Sequence, residues 1–311
     1  MSKLLFNRAS AWIKSRFGGR IQKIPVNAGF SCPNLDGTLS DQGCLYCNNK
    51  SFAPFYSDAQ LSITEQLQKG GAYFAARYNC QRFFAYFQSH SCTYAPLAIL
   101  KQKYLEAAGF EGVEGLIIAT RPDCISAEVT SLLRDLAHTI FIRIELGIES
   151  FDDRVLSSIN RCHNVEVALD AVKMLKSVDI PVSIHLISGL PGEQPDHMAK
   201  AARITSSSGA DMVKLHHLQI VAGSRLAELY LDHPEHYRLY TLDEYIDKVC
   251  EFIANLSPDI HLDRFISRVP INQLIAPIFK GIDEAAFQRQ LESRLRELNL
   301  YQGAKFVALN C

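Results

Sequence analysis

The sequence predicts an α/β fold built on a parallel sheet. Short apolar runs typical of buried strands alternate with segments of helical periodicity, and strands after the second recur about every 30 residues. Such alternation is typical of βαβ units, whose crossovers place helices against a parallel sheet. The chain has 311 residues, 48% of them hydrophobic, which suffices for one large barrel or two ordinary domains.

The predicted elements follow one another in a regular order. The six predicted strands are 20–26, 82–88, 115–120, 141–150, 181–190 and 211–221. The helical segments between them are 60–78, 96–108, 127–137, 164–178 and 196–208. Right-handed crossovers between successive units allow either a doubly wound sheet or a barrel, so the element order leaves both open.

The pattern changes after residue 240. Helices are predicted at 241–256 and 283–298, and the second has an apolar stripe of Phe287, Leu291, Leu295 and Leu298. Such stripes are typical of helices that pack on a main domain, although a partner-binding surface would have the same pattern. We expect an N-terminal segment (1–19), a main domain (20–240) and a mostly helical C-terminal extension (241–311).

Composition narrows the class of protein. The net charge is −1, so composition alone provides no evidence for a nucleic-acid partner. No run of about 18 apolar residues is present, which excludes a conventional membrane span. The first residues, "MSKLLFNRASAWIKSRFGGR", lack the apolar core and cleavage site of a secretion signal, so we expect a cytoplasmic protein.

Nine cysteines occur, and an odd number cannot pair fully within one chain. Six are scattered and are expected to be ordinary reduced thiols: Cys80, Cys92, Cys124, Cys162, Cys250 and Cys311. The other three, Cys32, Cys44 and Cys47, lie within the stretch "GFSCPNLDGTLSDQGCLYCNNKSF" (29–52) with the spacing C-x11-C-x2-C. This loop contains four turn-forming residues, and Gly43 permits close backbone approach beside Cys44.

The C-x2-C pair favours a metal centre, because two sulfurs at this spacing reach one centre with little strain. Zinc requires a fourth ligand, for which Asp41, His90 or a remote cysteine is available but not indicated by spacing. A [4Fe–4S] cluster normally takes four thiolates, so three would leave one iron with an open coordination position. Incidental loop cysteines, zinc and an iron–sulfur cluster all remain possible at this point.

Further motifs establish a resemblance. A three-cysteine loop after the first strand resembles the radical S-adenosylmethionine (radical SAM) superfamily, whose usual spacing is C-x3-C-x2-C; the longer first spacer resembles the branch related to the catalytic subunit of Elongator. Five other segments extend the match: "AYFQSHSCTYAPL", "ATRPDCIS", "INRCH", "HLISGLPGE" and "KLHHLQIVAGSRL". Together with the cysteine loop they resemble the bacterial YhcC/YtqA family over about residues 20–280.

The resemblance implies a partial (β/α)6 TIM-like barrel with its cluster loop at 29–52. It implies one [4Fe–4S] cluster ligated by Cys32, Cys44 and Cys47, with S-adenosylmethionine (SAM) bound at the open iron. An external one-electron reductant would support cleavage of SAM to methionine and a 5′-deoxyadenosyl radical that abstracts hydrogen from the substrate. The scattered cysteines provide no motif for a second cluster.

Strand alternation selects candidate cofactor residues. In "FIRIELGIES" the isoleucines and Leu146 share one face, whereas Arg143, Glu145, Gly147 and Glu149 share the other. Polar residues on a buried strand require a ligand or an internal Arg143–Glu145 ion pair. Glu149 ends the strand, where barrel sites form, and the resemblance implies contact with the SAM ribose.

Four further segments supply candidates. Arg161 in "INRCH" suits a SAM carboxylate, although a surface or capping role is an alternative. By resemblance, the glycine turn of "HLISGLPGE" contacts the adenine through Ile187, Gly189 and Gly192, and Glu193 is alternatively a helix cap. Gln88 is placed near the SAM amino group and Gln219 in the pocket by the same resemblance.

On the substrate side, Arg121 and Asp123 of "TRPD" are expected at one rim. Lys214 and His216 share one face of the sixth strand. The resemblance favours these two as pocket residues, while His217 departs from the family's commonest pattern and is expected in the core. No catalytic residue is assigned with certainty.

The resemblance points to tRNA as the substrate, with conversion of a carboxymethylaminomethyl group on the wobble uridine to aminomethyl. Basic residues at 14–23 and 289–296 would suit phosphates, and a solvated charged surface explains them equally well. Two alternatives stay open: a radical SAM enzyme for another substrate, and a non-catalytic zinc or iron–sulfur protein. The oligomeric state is not predicted.

Overall fold

A computed structural model describes residues 4–48, 53–78, 80–267 and 269–307. Residues 49–52 of the predicted cluster loop, and Cys311, lie outside these ranges. The described strands are β1 (Gln22–Val26), β2 (Phe83–Phe87), β3 (Val113–Thr120), β4 (Phe141–Glu149), β5 (Val182–Ser188), β6 (Met212–His217), β7 (Ile220–Val221), β8 (His261–Leu262) and β9 (Leu274–Ala276).

The helices alternate with the strands. They are α1 (Ala9–Phe17), α2 (Ile63–Tyr78), α3 (Leu97–Ala108), α4 (Ala127–Ala137), α5 (Asp153–Ser158), α6 (Val165–Lys176), α7 (His197–Ser207), α8 (Arg225–Asp232), α9 (Leu242–Asn255) and α10 (Glu284–Glu297). None of the helices in the described ranges combines the length and apolar character needed to cross a bilayer.

The main sheet has seven parallel strands in the order β1-β2-β3-β4-β5-β6-β8. The first six strands follow chain order without a reversal, whereas a doubly wound sheet requires a reversal at its switch point. The sheet is therefore the curled half-barrel, and the predicted partial (β/α)6 barrel is confirmed. β8 adds a short seventh strand that the sequence did not predict, because two residues are too few to show a periodic pattern.

One predicted strand divides in two. The segment 211–221 forms β6 and then the separate strand β7, which pairs antiparallel with β9. β6 ends because its partner β5 ends: Ser188 pairs with His217, and Gly189 follows with a φ of 97°. The prediction of one continuous strand was therefore wrong beyond His217.

The two faces of β4 differ as the alternation predicts. Ile142, Ile144, Leu146 and Ile148 are buried in the layer beneath the helices. The opposite face carries a buried Arg143–Glu145 ion pair, with Nη2 2.9 Å from Oε1. The internal ion pair that the sequence left open as an alternative is thus present, and the half-barrel interior is charged rather than apolar.

The C-terminal helices pack on the barrel. Thr241 and Glu244 form a capping box at the start of α9, and Phe287, Leu291 and Leu295 of α10 are fully buried. Leu298, predicted in the same stripe, is 43% exposed because α10 ends at Glu297. The N-terminal segment also contains a helix, α1, for which no element was predicted. The division of the chain at residue 240 stays a prediction.

The packing of α10 on the core is tested by a matched pair of leucine-to-alanine substitutions. Leu291→Ala should lower the free energy of unfolding by about 2–5 kcal/mol, because it leaves a cavity in the core. Leu298→Ala should change it by less than about 0.5 kcal/mol, because the side chain is largely in solvent. Urea unfolding with unchanged m-values measures both; equal losses would contradict the packing of α10.

Candidate functional site

The candidate site lies at the carboxyl ends of the parallel strands. The cysteine loop follows β1, Arg121 follows β3, and Glu149 is the last residue of β4. Gly189 follows β5 at the same edge. Since all these strands are parallel, their ends meet at one rim, which is where barrel sites form.

Backbone hydrogen bonds shape the cysteine loop. The Leu35 N–H donates to the Cys32 carbonyl at 2.8 Å, and the Cys47 N–H donates to the Cys44 carbonyl at 3.0 Å. Gly43 has a φ of 70°, and a Cβ there would lie 2.7 Å from the Leu35 side chain. The close approach predicted for Gly43 is therefore present, and it turns the chain directly before Cys44.

Three polar side chains surround the Cys44 sulfur. Asn34 Nδ2 and Arg161 Nη1 each lie 3.4 Å from Sγ, and Arg121 Nη1 lies 3.8 Å away. Arg121 also donates two hydrogen bonds to Asp123, at 2.9 and 2.7 Å. Arg121 and Asp123, predicted on the substrate side, thus lie together beside the cysteine loop.

The loop is fastened to the connection between α5 and α6. The Leu45 N–H donates to the Ile159 carbonyl at 3.0 Å. Asn34 Nδ2 donates to the Asn160 carbonyl at 2.6 Å, and Asn160 Nδ2 donates to the Gly43 carbonyl at 2.7 Å. These reciprocal bonds position the loop against Arg161, the next residue along the chain.

Arg161 links the loop to the end of β4. Its guanidinium donates to the Gly147 carbonyl and lies 3.6 Å from Glu149. A Cβ on Gly147 would lie 2.7 Å from Glu149 Oε1 and 2.9 Å from Arg161 Nη2. Glu149 itself has a φ of 72°, a strained conformation for a residue other than glycine, and strain of this kind clusters at functional sites.

The donor set fits a cationic centre. Burial, reinforced by neighbouring Cys44, raises the pKa of Cys47 to about 12, and burial also raises the pKa of Cys32. These sulfurs would carry protons unless a positive metal centre stabilised the thiolates. Buried polar atoms near them have no hydrogen-bond partner in the described structure: Asn34 Oδ1, Arg161 Nε and His163 Nε2. Such orphaned atoms favour a ligand at this rim.

The three sulfurs do not converge as a single ion would require. Among the described residues, one group of three potential ligands has its donor atoms within 4.8 Å of one another, and it is His233, Glu235 and His236 on the surface. The arrangement therefore disfavours a mononuclear zinc site at the cysteines. A [4Fe–4S] cluster places each thiolate on a different iron and spaces the sulfurs more widely.

The turn after β5 is held by a buried glutamate. Glu193 accepts a hydrogen bond from the Gly189 N–H at 2.7 Å and lies 3.1 Å from His197 Nε2. It does not cap α7, whose N-cap is Asp196, so the alternative role as a helix cap was wrong. Burial raises the pKa of Glu193 to about 8. Gly192 completes the turn with a φ of 87°.

The remaining predicted residues divide between several cavities. Ile187 and Glu149 line a cavity of about 140 Å³, whereas Gly189 and Gly192 line a neighbouring one of about 440 Å³. Gln88 lines a large cleft together with Lys214.

His216 and Gln219 are half-buried, and His216 Nδ1 and Gln219 Oε1 have no partner in the described structure. His217 stacks on Phe279 with ring centroids 4.6 Å apart, in the apolar surroundings expected for a core residue.

Below the rim, Glu145 joins a charged network that sequence reasoning found only in part. Its carboxylate accepts from Tyr86 at 2.8 Å and lies 3.0 Å from Lys23 Nζ and 2.9 Å from His185 Nε2. Lys214 contributes a further contact at 3.2 Å. Lys23, Tyr86 and His185 were missed, although inward-facing polar positions on apolar strands were a usable signal for each.

Comparisons with known proteins agree with this geometry. The radical SAM superfamily model matches residues 40–204, more than half of the chain, and the radical SAM C-terminal domain model matches residues 210–297. YtqA of Bacillus subtilis is 28% identical over 96% of this chain and 91% of its own length. YhcC of Escherichia coli K12 is 32% identical over 88% of this chain and 87% of its own.

Among solved structures, the archaeal Elp3 of Methanocaldococcus infernus superposes with a TM-score of 0.68 at 16% identity. The match covers 91% of this chain and 64% of that one. At this identity the likeness concerns the fold alone. Together with the family match and the identity to YhcC, the fold establishes that the chain belongs to the radical SAM superfamily.

Proposed function

We propose that Cys32, Cys44 and Cys47 ligate one [4Fe–4S] cluster whose open iron binds SAM. The observation that carries this proposal is the Cys44 sulfur within reach of two guanidinium groups, beside buried polar atoms that lack partners. When bound and reduced by an external donor, the cluster supplies a one-electron cleavage of SAM to methionine and a 5′-deoxyadenosyl radical.

The chain's own residues would bind and orient SAM. Arg161 still has a buried Nε–H without a partner, which suits the SAM carboxylate. Glu149 would accept from the ribose hydroxyls, and Ile187, Gly189 and Gly192 would contact the adenine. Gln88 and Gln219 are assigned to the same ligand, Gln219 through its unpartnered Oε1.

We further propose that the substrate is tRNA, and that the reaction converts the carboxymethylaminomethyl side chain of the wobble uridine to aminomethyl. Support comes from relatives named tRNA uridine(34) acetyltransferase; the one from Methanocaldococcus infernus is 35% identical over 42% of this chain and 24% of its own length. Lys214 and His216 lie on the inward face of β6, so they are the substrate-side residues that we propose, together with Arg121 and Asp123 at the rim.

The cluster assignment is tested with a cysteine variant. Cys47→Ala should abolish cluster absorbance after anaerobic reconstitution and should abolish deoxyadenosine formation from SAM, because two thiolates do not hold the cluster in place. Cys250→Ala, which removes a buried thiol from α9, should retain both. Turnover by the Cys47 variant would refute the ligand role.

The contribution to SAM binding of the two side chains packed against Gly147, those of Arg161 and Glu149, is tested separately. Gly147→Ala should raise the KM for SAM about tenfold or more, because the new methyl group displaces Arg161 and Glu149 and removes a charge-assisted contact. Gly19→Ala, whose Cβ would meet one atom at 3.6 Å, is the matched control. Deoxyadenosine release at varied SAM concentration measures both, and an unchanged KM would argue against this site.

The substrate is tested in cells. Deletion of the gene should leave carboxymethylaminomethyl uridine in tRNA and deplete the aminomethyl form, as measured by mass spectrometry of digested nucleosides. Restoring the wild-type gene should reverse the change, and restoring the Cys47→Ala gene should not. Identical wobble nucleosides in the deletion and parent strains would exclude this reaction.

A further inference from the structure

A large cleft enters the half-barrel from its open side. Because the sheet does not close, β1 and β8 are its two edges, and Lys23 of β1 reaches Asp263 beside β8 with Nζ 2.9 Å from Oδ2. The cleft has a volume of about 1310 Å³ and extends from Lys214 and Tyr86 inside the barrel to α1 and α2 on the surface. This volume exceeds the roughly 300–1,000 Å³ of small-molecule sites.

The cleft is basic although the chain as a whole has a net charge of −1. Its outer lining includes Lys14, Arg20 and Arg77, which are exposed and form no ion pair with any described carboxylate. Asp263 is the one acidic residue among the described residues that line it. Such a local excess of positive charge favours a polyanionic partner.

The second basic segment considered from the sequence behaves differently. Arg294 on α10 lies 2.7 Å from Asp247, and Arg296 lies 3.4 Å from Glu292. These arginines are neutralised by neighbouring carboxylates. Of the three arginines at 289–296, Arg289 alone forms no ion pair with a described carboxylate, whereas Lys14, Arg20 and Arg77 at the cleft all lack one, so the unpaired positive charge is larger at the cleft.

Aromatic side chains line the outer part of the cleft in a continuous run. Phe55 contacts Tyr73 with centroids 5.9 Å apart, Tyr73 contacts Phe74 at 5.2 Å, and Phe74 stacks on Tyr78 at 6.0 Å. Arg20 lies 5.2 Å over the Tyr78 ring. Phe55 is 81% exposed, so its ring is available to a partner.

The inner end of the cleft repeats this combination. Lys23 and Lys214 lie 5.4 and 5.5 Å from the Tyr86 ring centroid. Cations beside aromatic rings therefore extend from the surface into the interior. Such pairing suits unpaired nucleotides, because the cations neutralise phosphates while the rings stack on bases.

We propose that this cleft binds a single-stranded RNA segment, whose phosphates contact Arg20 and Arg77 and whose bases stack on Phe55 and Tyr78. The proposal rests on the proposed tRNA function and identifies the surface that would receive an unpaired anticodon loop. A duplex keeps its base faces covered and does not use the aromatic run.

Fluorescence anisotropy with a labelled anticodon stem-loop RNA tests the surface, using the full chain with its reconstituted cluster. Arg20→Glu/Arg77→Glu should lower affinity at least about tenfold and reduce the slope of log K against log[salt] by about 1.4, for two lost phosphate contacts. Phe55→Ala should lower affinity about tenfold with an unchanged slope, because stacking releases no counterions.

The matched control is Arg134→Glu/Lys173→Glu, which makes the same charge change on exposed faces of α4 and α6. It should keep wild-type affinity. Equal losses in the two double variants, or binding of a duplex RNA as tightly as the loop, would overturn the proposal.

Binding is measured without turnover, so the surface and the enzymatic function can fail separately. Wild-type protein that binds the loop through these residues but forms no deoxyadenosine would support the surface and refute the enzyme. Modification of tRNA together with unchanged affinity in Arg20→Glu/Arg77→Glu would overturn the surface alone.

Discussion

The half-barrel is organised around one buried carboxylate, that of Glu145. Hydrogen bonds and ion pairs reach it from five strands, through Lys23 of β1, Tyr86 of β2, Arg143 of β4, His185 of β5 and Lys214 of β6. Burial alone would raise the pKa of Glu145, but the charges of Lys214 and Lys23 hold it well below the usual range. A buried carboxylate is tolerated only when it is paired this fully. The curved sheet is needed to bring these side chains together around Glu145, and their contacts with Glu145 in turn stabilise the curved sheet.

The Glu145 carboxylate and the polar groups at the rim differ in how fully they are partnered, although Arg143 Nε beside that carboxylate also lacks a partner in the described structure. The Glu145 carboxylate has all the partners it can accept, which is typical of a rigid scaffold. At the rim, Arg161 Nε, His163 Nε2 and Gln219 Oε1 have none among the described residues. Buried polar atoms without hydrogen bonds cost free energy in the folded chain. Their presence at the rim, above the fully paired Glu145 carboxylate, therefore favours a bound ligand there.

Local patterns in the sequence predicted the elements well. The helix predicted at 127–137 coincides with α4, and the β4 alternation separated the core face from the charged face. The charged network was harder to predict, because Lys23 and Asp263 are 240 residues apart and meet only through sheet curvature. The orientation of Arg121 toward Cys44 likewise depends on where the cysteine loop packs, which the sequence around "TRPD" does not contain. The short strand β8 carries too few residues for a period to be recognised.

The long spacer between Cys32 and Cys44, and Leu45 directly after Cys44, are held by tertiary contacts at several points. Gly43 and Asn34 bond the segment around Asn160, the Leu226 N–H donates to the Leu45 carbonyl at 2.8 Å, and Arg225 donates to Gln42. A loop without regular structure loses conformational entropy when ordered, and each fastening offsets part of that loss. The spacer therefore positions Cys44 from two sides of the barrel rim, from the α5–α6 connection and from the start of α8. The contacting residues lie at both ends of the spacer, Asn34 shortly after Cys32 and Gln42 and Gly43 just before Cys44.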